Sequence, residues 1–194
     1  MSRSRLQTEQ KILNAVETLL LEKGYPAVGV NAIARQAGCD KVLIYRYFGG
    51  FDRLLRDFAK TTQLWWEVDE VMSETAEAFA SQPLHIYLQT LLKRHASCLQ
   101  TMPITLEIMA WEMSEQNSLT IALARTRAER GMALIKKIRT HYSQPNFDVG
   151  GILGVFGAAI NYLVIRTRKS SPQHMTEEWW RLQQTIAKLL NNQS

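Results

Sequence analysis

Residues 30–48 read VNAIARQAGCDKVLIYRYF. Ile33, Ala37 and Ile44 are apolar, Gly38 separates two short helical patterns, and Asp40 stands where the second pattern begins. This is helix, tight turn, helix. Gly38 supplies the left-handed backbone that ends the first helix. Asp40 can accept hydrogen bonds from the open N–H groups of the second. Ala34 is small where the two helices must cross, and Ile33, Ala37, Cys39, Ile44 and Phe48 form the inward face. Lys41, Val42, Tyr45 and Arg46 are left outside at helical spacing. A short helix showing Lys, Tyr and Arg, braced by another, suits a DNA major groove.

Upstream, Ile12, Ala15, Val16, Leu19 and Leu20 recur at helical spacing over about residues 8–23, and Gly24 ends the helix. This helix is expected to be the third wall of a three-helix bundle. Arg3 and Arg5 precede it as a basic arm that could touch the DNA backbone or minor groove, with a solvated tail the expectation. Residues 25–29 connect to the next helix, which Gly29 can cap only through its backbone. The first 60 residues hold ten Lys or Arg against six acids, so they carry +4 of the net +5. Positive charge therefore gathers on the DNA-reading pattern, as phosphate attraction favours. The two cysteines, Cys39 and Cys98, make no disulfide framework. The chain opens without an apolar leader pattern, which implies a cytoplasmic protein.

The remainder reads as helices throughout, so the fold class is all-α, with domains at 1–50 and 51–194. Residues 52–72 are expected as one long helix, and 73–82 as a polar loop. Helices follow at 84–100, 104–113, 118–142 (capped by Ser118), one capped by Asp148, and 176–191 opened by Thr176-Glu177-Glu178-Trp179. Turns are read at Pro145-Asn146 and Ser170-Ser171-Pro172. Arg125, Arg127, Arg130, Lys136, Lys137 and Arg139 make a solvated face. The segment 149–165, VGGILGVFGAAINYLVI, is short for a membrane span of ~20 residues and carries Asn161. It is read as a buried soluble helix, with no membrane partner. Gly150, Gly154 and Ala158 give it a small-residue stripe that admits a second helix closely. Each glycine costs roughly 1 kcal/mol of helix propensity, which packing must offset.

The run Gly24-Tyr25, Ile33-Ala34, Ala37-Gly38 and Tyr45-Arg46-Tyr47-Phe48 resembles the DNA-binding domain of the tetracycline-repressor (TetR) family of bacterial regulators. The motif covers about the first quarter of the chain; beyond it the likeness is architectural. The resemblance implies a helix-turn-helix head at 1–50 and a helical ligand-binding and dimerisation domain at 51–194. It places Lys41, Val42 and Leu43 at base edges, Tyr45 and Tyr47 at phosphates or bases, and Arg46 at a base or the backbone. Asn31 matches a further contact position. Lys or Arg favours guanine, and Val42 and Leu43 can only pack on thymine methyls, so half-sites mixing G with adjacent T are expected. One departure is Gly49-Gly50-Phe51-Asp52-Arg53, where the family usually shows a phosphate-binding Lys. The Gly49 and Gly50 amides or Arg53 are the replacements available.

The resemblance also implies a homodimer joined through its last two long helices. The residues for that face are Gly150, Gly154, Ala158, Trp179, Trp180 and Ile186. A hydrophobic or aromatic effector is implied within the helical remainder. Its candidate contacts are Trp65, Trp66, His95, Met109, Trp111, Phe156 and Asn161, with Cys98, Met102, Met113 and Tyr162 as further apolar candidates. Asn161 can serve a ligand or a partner subunit. His95 and Cys98 lie one turn apart but lack a third ligand, so no metal or other cofactor is expected. No phosphate loop, nucleophile elbow or zinc motif occurs, and no enzyme is expected. Two other readings remain. One is a regulator that takes no ligand; the other is an all-α ligand-binding or interaction module whose helix-turn-helix is vestigial.

Overall fold

The computed structural model describes residues 3–72, 82–142, 148–169 and 176–191. Ten α-helices and one 3₁₀ turn account for most of them, and no strand occurs among the described residues. The expected loop at 73–82 falls almost wholly outside the described residues, as do the turns at Pro145-Asn146 and Ser170–Pro172. The capping side chain of Thr176 and the side chain of Arg3 also lie outside them.

The chain forms two compact units. The first comprises residues 1–65 and 103–126, the second residues 66–102 and 127–194. In the first unit, α1 (Arg3–Lys23) leads through a 3₁₀ turn (Tyr25–Ala27) to α2 (Val30–Ala37), α3 (Lys41–Phe48) and α4 (Phe51–Thr61). The buried stripe Ile12, Val16, Leu19 and Leu20 sits on α1, at most 2% exposed. Each such side chain contributes about 1.5–3 kcal/mol of burial. The helix begins earlier than its apolar periodicity suggested. Arg5 is not in a loose arm: it lies inside α1 and pairs with Glu9 at 2.8 Å.

The long helix expected over 52–72 is interrupted. α4 ends at Thr61 and α5 (Val68–Met72) begins seven residues on, with Thr62 in extended backbone. Leu64, Trp65 and Trp66 are each no more than 6% exposed. A continued helix would fan three successive side chains over about 200°, so burying all of them requires the backbone to leave the helix. Thr61 Oγ1 donates to the Phe58 carbonyl, and Thr105 Oγ1 to the carbonyl of Leu64. The Glu67 N–H donates to Glu70 Oε2, opening α5.

Helices α7 (Pro103–Glu112) and α8 (Ser118–His141) return to the first unit; residues of α8 from Arg127 belong to the second. The cap of α8 is Asn117 and not Ser118. Asn117 Oδ1 accepts from the N–H of Leu119 and Thr120, while Thr120 Oγ1 accepts from that of Asn117. This reciprocal box frees the Ser118 hydroxyl, which donates to Asp52 Oδ2 at 2.7 Å.

In the second unit, α6 (Leu84–Gln100) is the central element, and α5, α9 (Val149–Thr167) and α10 (Thr176–Asn191) pack on it. Asp148 caps α9 by accepting from Gly150 N at 3.0 Å, as expected. Basic residues of α8 make a less purely solvated face than expected: Arg130 pairs with Glu67 and Lys137 with Asp69.

α9 departs from its expectation. It was read as buried on most faces, yet only Val149, Ile160 and Val164 are buried. Val155 is 69% and Tyr162 59% exposed. By length and composition α9 could cross a membrane. Among the described residues, α9 therefore offers an exposed apolar face.

Candidate nucleic-acid interface

Local chemistry shapes the two-helix motif as the sequence suggested. Gly38 adopts φ +64°, and its N–H and that of Cys39 close the end of α2. Asp40 accepts from Val42 N at 2.8 Å and starts α3. Ile33, Ala34, Ile44 and Phe48 are buried, while Ala37 and Cys39 are half-buried at the rim of that core. Burial and neighbouring Asp40 raise the Cys39 thiol above its usual pKa, keeping it protonated at neutral pH.

Outward, α3 presents Lys41, Val42, Tyr45 and Arg46, all exposed, with Leu43 and Tyr47 half-buried on its flank. Asn31 is exposed in the first turn of α2. Thus six of the seven DNA-reading residues named from sequence share one short helix, and the seventh lies on its neighbour. Two cations, a phenol and an exposed valine can bond to and pack on base edges.

At the Gly49-Gly50 junction the structure narrows the available phosphate donors. The Gly49 N–H donates to the Tyr45 carbonyl at 2.8 Å and ends α3, so it is already engaged. The Arg53 side chain lies over Gly49: a methyl on Gly49 would come within 3.0 Å of Arg53 Nη1. Gly50, at φ +130° and ψ 177°, occupies backbone open essentially to glycine alone.

The junction is tethered. Asp52, the second residue of α4, accepts from both the N–H and the hydroxyl of Ser118 at 2.9 and 2.7 Å. Those bonds, the hydroxyl's first, with Arg56 adding to them, hold the Asp52 carboxyl below its ordinary pKa. The far end of α1 is tethered too. Tyr25 N–H donates to Glu107 Oε2 at 3.1 Å, its phenol shares a hydrogen bond with Ser114, and its ring stacks on Trp111 at 5.9 Å. Glu107 and Ser118 carried no local signal for these roles, because their partners are distant in sequence.

The proposed ligand residues fall in both units. Met109 and Trp111 belong to the first unit, where Trp111 packs on Tyr25 and Phe51. Trp65 is buried in the same unit. In the second unit, buried Trp66 and His95 and half-buried Asn161 form a polar chain. Trp66 Nε1 donates to His95 Nδ1 at 2.8 Å, so the ring proton is on Nε2, which reaches Asn161 Oδ1 at 3.0 Å. Burial lowers the His95 pKa to about 4 against the opposing pull of Asn161, and the imidazole is neutral at physiological pH. Phe156 is half-buried on α9.

The dimer-face residues divide as well. Gly154, Ala158 and Trp180 are exposed, Gly150 and Trp179 half-buried, and Ile186 is buried within its own protomer. A groove of about 540 Å³ beside Gly150 is lined by Met132, Ile135, Lys136, Arg139 and Thr140, and holds none of the ligand residues named from sequence. Among the described residues, no group of three metal-ligating side chains occurs.

Comparison with known proteins bears on residues 12–57, which match the model of a family described as bacterial regulatory proteins, tetR family. No curated protein matches the chain. Among solved structures, NalD of Pseudomonas aeruginosa, the secondary repressor of the MexAB-OprM multidrug efflux pump, is 18% identical with a TM-score of 0.58, over 96% of this chain and 97% of that one. A TetR-family regulator from Rhodococcus sp. is 17% identical with a TM-score of 0.58, over 93% and 98% of the chains. PfmR of Thermus thermophilus is 17% identical with a TM-score of 0.52, over 94% and 96%. At such identities these likenesses establish the shared all-α fold.

Proposed function

We propose that the chain, whose residues 12–57 match the tetR family of bacterial regulatory proteins, is a ligand-responsive repressor that binds a palindromic operator as a homodimer. It is a DNA-binding transcriptional regulator; dimer, effector and sign of control are the proposed parts. One observation carries the reading: Lys41, Val42, Tyr45 and Arg46 stand exposed on α3, while Ile33, Ala34, Ile44 and Phe48 lock that helix to α2. Residues 1–50 would read DNA, and 51–194 would dimerise and sense.

Support for the dimer is the uncovered apolar surface of α9 and α10, where Val155, Tyr162, Trp180 and Leu189 are all exposed. A second copy laid across Gly154 and Ala158 would cover it, and a two-fold dimer would read two half-sites one or more DNA turns apart. That occupant also accounts for α9 without a membrane, in keeping with a cytoplasmic regulator. No catalytic role is assigned.

Support for sensing is the Trp66–His95–Asn161 chain, polar groups buried at Trp66 and His95 and half-buried at Asn161, which suits a flat, hydrophobic effector with one polar atom. Such an effector would act by favouring a dimer state with lower operator affinity, to the extent that it prefers that state.

The test is salt-dependent binding to palindromic duplexes, beginning with DNA flanking its own gene, with the Tyr45→Ala, Arg46→Ala double variant as control. A Kd of ~10⁻⁸ M or below, a steep salt slope and loss in the double variant are expected. Weak, sequence-blind binding by both proteins would leave the helical ligand-module reading in its place.

A further inference from the structure

We propose that Arg5, on the first turns of α1, joins Tyr47 of α3 in one phosphate-binding clamp and so sets operator affinity without reading sequence. The inference rests on the DNA-binding reading above. The Arg5 guanidinium lies over the Tyr47 ring, 5.1 Å from its centroid. Glu9, one turn along α1, holds it there through Nε at 2.8 Å. Because that bond uses Nε, the two Nη groups lie outside it, and these present the fork that binds a phosphate bidentately.

The position on α3 points the same way. Val42, Tyr45 and Arg46 are its exposed side, Ile44 and Phe48 its buried side, and Tyr47 sits half-buried between them. A helix ~10–12 Å across seated in a groove ~12 Å wide turns such a flank toward the sugar-phosphate wall. Arg5 thereby places a second helix's cation beside the recognition helix. The Glu9 carboxylate fixes the guanidinium's orientation and balances part of its charge, so a phosphate would add its bonds at the two Nη groups.

The experiment measures Kd against salt for wild type, Arg5→Gln, Arg5→Lys and Tyr47→Phe, on the tightest palindromic duplex and on the same duplex with one half-site scrambled. Arg5→Gln is expected to reduce the slope of log K against log salt by about 0.9 per protomer bound, weakening both duplexes by the same factor. Arg5→Lys should retain the slope with lower affinity, and Tyr47→Phe should lower affinity with the slope unchanged. An Arg5→Gln slope equal to wild type overturns the clamp and leaves Arg5 a packing residue. A wild type lacking salt-sensitive duplex binding overturns the regulator reading and the clamp together.

Discussion

His95 is neutral because it is buried, with its pKa at about 4 and not its ordinary 6.5. The neutral form is the one that folds, so its contribution is fully present above pH 6.5. It is lost as pH falls toward 4, by about 3 kcal/mol in all at 1.36 kcal/mol per pH unit. Denaturant titrations between pH 7 and 4 should show that decline, and His95→Gln should flatten it. At Gly50 a methyl would meet open space, so Gly50→Ala tests backbone alone. At φ +130° it should cost about 1–3 kcal/mol in thermal unfolding. Asp40→Ala, which removes the α3 cap, should cost about 1 kcal/mol.

At the level of elements, α7 is fastened to the 3₁₀ turn after α1 by the Tyr25–Glu107 bond and the Tyr25–Trp111 stack. Glu107→Ala would leave the Tyr25 N–H without that acceptor and should destabilise the protein by about 1–3 kcal/mol in equilibrium unfolding. Those elements whose signals are local were readable: Gly38 and Asp40 bracket the turn within three residues, and the apolar stripe of α1 repeats on one face. The break after Thr61 was not, because Leu64, Trp65 and Trp66 fit a helical pattern until their joint burial is known. Likewise Ser118 looked like a cap because Asn117 and Ser118 have similar capping chemistry; only the bond to Asp52, 66 residues away, separates their roles. In the candidate site, the residues of α3 were legible as a set because one helix carries them. The ligand candidates were chosen by residue type alone, with no such shared element: Met109 and Trp111 lie in one compact unit and Trp66, His95 and Asn161 in the other.

For the whole molecule, the apolar surface of α9 and α10 predicts self-association. Val155→Asp should shift sedimentation from dimer to monomer and weaken operator binding at least tenfold, as two linked half-site contacts become one. The helical content of the variant should match wild type, because Val155 is 69% exposed. The bonds that complete the DNA-reading head reach far along the chain, from Tyr25 to Glu107, 82 residues on, and from Asp52 to Ser118. During synthesis those partners emerge from the ribosome seconds after the recognition helix, at ~5–20 residues per second. A nascent chain therefore carries α3 before it carries the residues that brace it. The head can be completed only once residue 118 has been made, with residues 119–194 still to follow.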